Sequence, residues 1–536
     1  MKSKKTVTGA IAPKLINELS ERKGLHTFHV SLFTFHLSLP IRNLAIFSIS
    51  LYNPTMFNVA FNLHSQGKLD EAEKIYKEII NKEPENAQVY NLLGLIKLSE
   101  NKIDEAEKFI LKALSIKKDA YFYENLARVY EFKKDYEKEI EILEKACKDV
   151  VCGFEIYFLL ALAYKNNIEY EKSEKAYIKA LEMNPKSEKA CFNLANLYLF
   201  LNKPEKAIEY FKKCLEINPN DKEVLYFLSL GYFRIKNYEI GTKFFENRLC
   251  RGTAITSQKV TYPQIMSKAP LWQGEDISNK TLYTYYEAGF GDMIMFSRYI
   301  PELQKRCKKL LIKPQKELSQ LFRDNFPDAE VMDLFYEENK TDFDVHLPFL
   351  SIPYVLGLKN DEIFMHHDKY LSATPDKVEY FKEKYFNNDK FKIAIKWQGN
   401  TYYETDRVIN VEAFAPLFDL SNTKIYSAQT FEGAEEFSKL ANKYDITDLS
   451  KDFKDFSYTA GALENVDLVI SSDSSLAHLA GAMGKPCIIL LPYNYNWRWH
   501  MDLNHCDWYD SVKLFRLGEK ESWNELMVKV AKTIRV

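Results

Sequence analysis

Residues 195–219 read ANLYLFLNKPEKAIEYFKKCLEINP, and the spacing of their small and large side chains decides the fold of the first half of the chain. Ala195 is followed three residues on by Tyr198, Asn202-Lys203-Pro204 is a turn signal, and Ala207 is followed four residues on by Phe211. Working outward, small residues recur at Ala60, Gly94, Ala127, Ala161, Ala195 and Ser229, at spacings of 34, 33, 34, 34 and 34. Leu63, Tyr130, Tyr164, Tyr198 and Tyr232 stand three residues after them, with Lys97 as the exception. A second small position runs through Ala72, Ala106, Ser173, Ala207 and Gly241 and is broken by Glu139. Small residues let two helices approach closely, and a large neighbour fills the hole beside them. One such pair cannot bury its apolar face alone, so the pairs must stack into a superhelix.

Period and pattern together resemble the tetratricopeptide repeat, with six copies over residues 56–250. The groove of such an array can take a peptide or protein; the array can equally serve as a spacer or a dimerisation element. Composition agrees with long helices: 18 glycines in 536 residues is about half the usual share. The 34 tyrosines and 36 phenylalanines supply the aromatic packing.

The length predicts three to four structural units. Lys plus Arg number 73 against 75 Asp plus Glu, a net charge of −2, which lacks the footprint of a general nucleic-acid binder. Eight cysteines form no CxxC pair, which predicts free thiols in a reducing cytoplasm. The histidines form no HExxH and no cluster with a cysteine pair, so no structural zinc is expected. Residues 1–55 carry an apolar stretch from about 30 to 51, interrupted by His36, Pro40 and Arg42. That leaves no uncharged span long enough for a membrane helix, and no convincing cleavage site follows. These residues read as an extension, with Met56 as an alternative start, and the expected location is cytoplasmic.

After Arg251 the period stops, and short β-rich runs alternate with helices. Strands are expected at Thr281–Tyr286, Lys309–Lys313, Glu330–Leu334 and Asp344–Leu347, then at Lys392–Trp397, Lys424–Ser427, Asp467–Ser472 and Cys487–Leu491. Helices are expected at Asp292–Lys305 and Ser457–Leu463. Alternation of this kind predicts parallel sheets, and two series predict two doubly wound domains, 251–375 and 376–536. Their ligand cleft should lie at the carboxyl ends of the strands. The last helix, about Ser522 to Ile534, is expected to pack back across that cleft.

Two motifs fall at strand ends. In Glu287-Ala288-Gly289-Phe290-Gly291-Asp292 the glycines permit close backbone approach, and Asp292 falls at a helix start, where it can face the cleft or cap the helix. In Ser471-Ser472-Asp473-Ser474-Ser475-Leu476-Ala477-His478 a strand gives way to a helix whose free amides favour an anion. His478 lies one turn in, facing a ligand there or buried as an ordinary core histidine. Asp342-Phe343-Asp344 is a DxD sequence, but no flanking pattern supports a metal site there.

Gly289-Phe290-Gly291-Asp292, Asp473-Ser474-Ser475-x-x-His478 and Pro486 together resemble the heptosyltransferase-type glycosyltransferases of GT-B fold. Trp397-Gln398-Gly399-Asn400, Asp406-Arg407, Trp497-Arg498-Trp499 and Trp508-Tyr509 are similar to bacterial proteins that join tetratricopeptide repeats to such a domain. The resemblance implies an α-solenoid followed by two Rossmann-like domains. It implies an inverting, metal-independent transferase using a nucleotide-diphosphate sugar as substrate, with no cofactor. It implies Asp292 as general base, and Gly289, Gly291, Asn400, Arg407, Asp473, Ser474, Ser475 and His478 around the donor. Asp473-Ser474-Ser475 stands where Asp-Thr-Gly or Asp-Thr-Ala is usual, and the heptosyltransferases proper carry no repeats.

The function expected is therefore sugar transfer to a protein or surface-glycan acceptor, possible partners being the nucleotide-sugar and an acceptor held by the repeats. Nucleic acid and stable membrane insertion are not expected. The alternative is a repeat-based interaction scaffold whose transferase domain is inactive.

Overall fold

A computed structural model describes residues 54–251, 269–332, 342–399, 407–500 and 505–534. Six antiparallel helix pairs come first, from Pro54–Ser65 with Leu69–Lys82 to Lys222–Arg234 with Tyr238–Phe245. The expected small positions Ala60, Ala127, Ala161, Ala195 and Ser229 are fully buried. A Cβ on Gly94 would stand 2.5 Å from Ile110 Cγ1, so Ile110 would have to shift to admit a larger residue at that crossing. The large positions do more than fill space: Tyr130, Tyr164 and Tyr198 donate their hydroxyls to Glu107, Glu144 and Glu174 of the neighbouring helices. Lys97 departs in shape but keeps the contact, with its ammonium 2.6 Å from Glu73. The first helix opens at Pro54 rather than Met56; residues 1–53, including most of the expected extension, lie outside the described residues.

One residue in each of the six turns has positive φ: Gly67, Asn101, Lys134, Ile168, Asn202 and Lys236. The expectation of eight free thiols fails for one pair, because Cys147 and Cys152 are disulfide-bonded. Cys147 lies in the last turn of helix Tyr136–Asp149, and the chain folds back to bring the two Cα atoms within 5.1 Å, inside the range a disulfide spans.

The second half holds two parallel sheets. The first has the order β3-β2-β1-β4, with β1 Ile277–Tyr285, β2 Cys307–Lys313, β3 Glu330–Val331 and β4 Val345–Pro348. The second has the order β10-β9-β8-β5-β6-β7. Here β5 is Phe391–Lys396, β6 Thr423–Ser427, β7 Ile446–Asp448, β8 Leu468–Ser472, β9 Cys487–Leu491 and β10 Val512–Arg516. Strands β7 and β10 were not expected: both are short edge strands that carry charged or polar residues among the apolar ones. The expected helix Asp292–Lys305 is interrupted. Helix α1, Phe290–Phe296, passes through a single 3-10 turn into α2, Ile300–Arg306, because Pro301 brings no N–H to a continuous helix.

Helix α3, Lys316–Asn325, covers the first sheet; α4, Pro375–Tyr385, and α5, Phe456–Glu464, pack together beside the second. Helix α6, Ser475–Ala482, follows β8 directly. The last helix, α7, Trp523–Thr533, does not cross the cleft as expected. Its Leu526, Met527 and Val530 join Ile393, Ile395 and Val411 on the outer face of the second sheet. That is where its apolar stripe finds a matching surface. No helix among the described residues is long and apolar enough to cross a membrane.

Solenoid and sheets share one core, in which Phe233, Tyr238 and Phe245 pack with residues of both sheets. Just beyond the last repeat, Arg248 is fully enclosed and forks onto Glu287 at 3.0 and 2.8 Å. Glu287 also accepts from Leu350 N and so ties the β1 exit to the β4 exit. Burial raises the Glu287 carboxyl while Arg248 opposes the shift, an arrangement that persists only because the geometry is fully paired.

Candidate functional site

Strand β1 ends at Tyr285, and the chain turns through Ala288, whose φ of 57° is unusual for a residue with a side chain. Gly289 then caps α1, and Asp292 accepts from Gly289 N through Oδ2 at 3.1 Å. One carboxylate oxygen thus caps the helix, and the other points across the gap between the sheets. There Oδ1 meets the guanidinium of Arg498, in a pair whose side chains are only 14% and 13% exposed.

Gly291 shows why a glycine is needed in this loop. A Cβ there would lie 2.7 Å from Cδ2 of His478, so α1 and α6 can touch only if the side chain is missing. His478 is buried, stacked on Trp499 at a centroid distance of 5.0 Å, and its Nδ1 meets Tyr509 OH at 2.9 Å. Burial pushes its imidazole down to about 4, so at neutral pH the ring is uncharged.

The second sheet contributes the start of α6. Asp473 is buried; its carboxylate stands 3.4 Å from Arg407 Nε, and Arg407 also reaches the Asp473 carbonyl. Ser474 precedes the helix without capping it, and its Oγ pairs instead with Ser471 Oγ at 2.8 Å. The first amides of α6, from Ser475 onward, thus have no side-chain cap. A Cβ on Gly399 would be 3.5 Å from Asp473 O, so the chain leaving β5 runs against this turn. Strands β5 and β8 are neighbours at the point where the strand order reverses, the position at which open parallel sheets accept ligands.

The structure therefore brings together Gly289, Gly291, Asp292, Asp473, Ser474, Ser475, His478 and, through Asp473, Arg407. Asn400 lies outside the described residues. The DxD pair is elsewhere: Asp344 accepts from Thr281 N at 2.7 Å, toward the amino-terminal end of β1, and Phe343 stacks on Tyr283. No group of three or more metal-ligating side chains clusters among the described residues.

Arg498 has no role among the sequence expectations: it stands between Trp497 and Trp499, but its partner Asp292 lies 206 residues away. Segment 493–500 faces two ways. Towards the solenoid, Tyr493 and Tyr495 carbonyls accept from Asn202 and Arg234, Trp497 packs on Phe233 at 4.4 Å between centroids, and His500 bonds Tyr238. Towards the cleft, Arg498 holds Asp292 and Trp499 covers His478. The last two repeats thus brace the loop that touches both motifs.

Comparison with known proteins finds tetratricopeptide-repeat family models matching residues 63–138, 154–187 and 188–221. The chain is 24% identical over 309 residues to Protein FlbA of Caulobacter vibrioides, a match covering 51% of this chain and 49% of that protein. The chain thus spans about half the length of the curated relative it matches. Among solved structures it is similar to YrrB, described as a TPR protein with an unusual peptide-binding site, at 19% identity and a TM-score of 0.30, covering 33% of this chain and 91% of that one. It is also similar to pilF of Pseudomonas aeruginosa, at 14% identity and a TM-score of 0.34, covering 37% and 91%. The helix pairs over these matched residues are tetratricopeptide repeats.

Proposed function

We propose that the chain is a glycosyltransferase of GT-B type that moves a sugar from a nucleotide-diphosphate donor to a protein or surface-glycan acceptor. The observation that carries this reading is the meeting of the Gly289–Asp292 turn with the Asp473–His478 segment across one cleft between two parallel sheets. Asp292 supplies a carboxylate that can take the acceptor proton, as a general base must. The start of α6 and Arg407 supply donors and charge for the departing diphosphate, so inverting displacement needs no metal. The neutral His478 ring orients rather than carries charge. The repeats would present the acceptor, since their last two turns brace the cleft loop.

A scaffold with a silent second half is the competing reading, favoured by the engagement of both Asp292 oxygens in contacts within the fold. A screen of nucleotide sugars against the full chain separates the two. Release of nucleoside diphosphate with sugar appearing on an acceptor is expected; absence of transfer from every donor tried sinks the enzyme reading.

A further inference from the structure

Lys396 ends β5 at the reversal of strand order in the second sheet, and none of the roles above uses it. Its side chain is 5% exposed. Ala394, two residues earlier and therefore on the same face, packs in the core shared with α1 and α6. The parallel register sets Lys396 opposite Ser471 of β8, whose hydroxyl is bonded to Ser474 at the start of α6. One face of the two strand ends therefore carries an ammonium and a pair of hydroxyls beside the first amides of an eight-residue helix.

The ammonium has little to hold it there. Its one hydrogen bond goes to Thr430 Oγ1 at 3.2 Å, and no carboxylate pairs with it among the described residues. Burial pushes it down to about 8; Glu432, on the exposed loop after β6, opposes that shift from a distance. Asp473 and Arg407, the other charges at these strand ends, pair with each other. A buried cation without an anion is costly, and an anion seated at this point would satisfy the ammonium and the helix amides together.

We propose that Lys396 is an anion-binding residue that holds a phosphate of a nucleoside diphosphate at the β5–β8 junction. The proposal rests on the transferase reading for the identity of the ligand, and it adds a second cation to Arg407.

Calorimetric titration of the full-length chain with ADP, GDP, UDP and inorganic pyrophosphate tests it. At least one nucleotide should bind the wild type, and Lys396→Gln should weaken that binding about tenfold or more. Raising the pH from about 7.5 to about 9.5 should weaken wild-type binding as the ammonium loses its proton, whereas Lys396→Arg should bind evenly across that range. If Lys396→Gln fails to fold, the comparison of wild type with Lys396→Arg decides alone. Undiminished affinity in Lys396→Gln, an unchanged pH dependence in Lys396→Arg, or a wild type that binds none of the four probes overturns the assignment. A chain that binds nucleotide through Lys396 yet transfers no sugar sinks the transferase reading and leaves this site standing. Transfer with full nucleotide affinity in Lys396→Gln does the reverse.

Discussion

Arg498, in the loop after β9, places its guanidinium on the carboxylate of Asp292, 206 residues earlier at the start of α1. The pair bridges the two sheets, and its cationic member is locked from behind. Asn496 accepts from the Arg498 side chain at 2.6 Å, Trp508 donates to its carbonyl, and the guanidinium lies over the Trp497 ring. Trp497 in turn packs on Phe233 of the last repeat. The candidate base is thus held by a residue whose own position depends on the solenoid, a route by which repeats and cleft can act as one unit.

Replacing Asp292 with Asn separates chemistry from architecture. The amide oxygen can still accept from Gly289 N, so α1 keeps its cap, while the proton acceptor is lost. Transfer should fall by about a hundredfold or more, with nucleotide affinity retained. Steady-state transfer and calorimetric titration on the same preparation check this, and surviving transfer would remove Asp292 from the role of base.

Trp497→Ala should uncouple the solenoid from the sheets. The indole is 8% exposed and lies against Phe233 and Phe245, so its loss leaves a cavity at the joint, worth about 3–5 kcal/mol. Heat or urea unfolding followed by tryptophan fluorescence and by circular dichroism should then give two non-coincident transitions. A single coincident transition at the wild-type midpoint would show that the joint bears no weight.

The repeats were legible because their 34-residue period states helix, turn and crossing together, and even the exception at Lys97 sits where the pattern places it. The eight strands with strong apolar runs were legible for the same local reason. Strands β7 and β10 were not, since three to five residues with charged members carry no pattern of their own and exist by pairing with a neighbour. At the site, Gly291 and His478 could be singled out separately, but their contact joins a helix after the first sheet's β1 to a helix after the second sheet's β8 and has no local signature. The same holds for Arg498, whose partner lies 206 positions away, and for the course of α7, which is fixed by the outer sheet face it covers.

Ile168 sits in a repeat turn with a φ of 64° and is 69% exposed, while the equivalent positions hold Gly67, Asn101 and Asn202. A β-branched residue is the poorest choice for a left-handed conformation and has no packing here to compensate. Ile168→Asn should stabilise the chain by about 1 kcal/mol, read as a higher midpoint in urea. An unchanged or lower midpoint would mean that the turn adjusts to its residue.

Glu139 interrupts the second small position of the repeats, and its carboxyl is held in the core between helices, 2% exposed, with Oε2 unpartnered. Burial, with the nearby charge of Glu131 adding to it, pushes the group up to about 9 from an ordinary 4.5. The native chain therefore keeps a proton that the unfolded chain gives up over that interval. With more protons bound in the native state, stability falls as pH rises, the reverse of the usual carboxylate behaviour. Glu139→Ala restores the small residue present in the other repeats and removes the buried acid. The variant should melt higher than wild type at pH 8, by a wider margin than at pH 5, and its melting temperature should vary less with pH between those values. Thermal unfolding at the two pH values reads both effects, and an equal margin at each would place the Glu139 carboxylate in contact with water in the native chain.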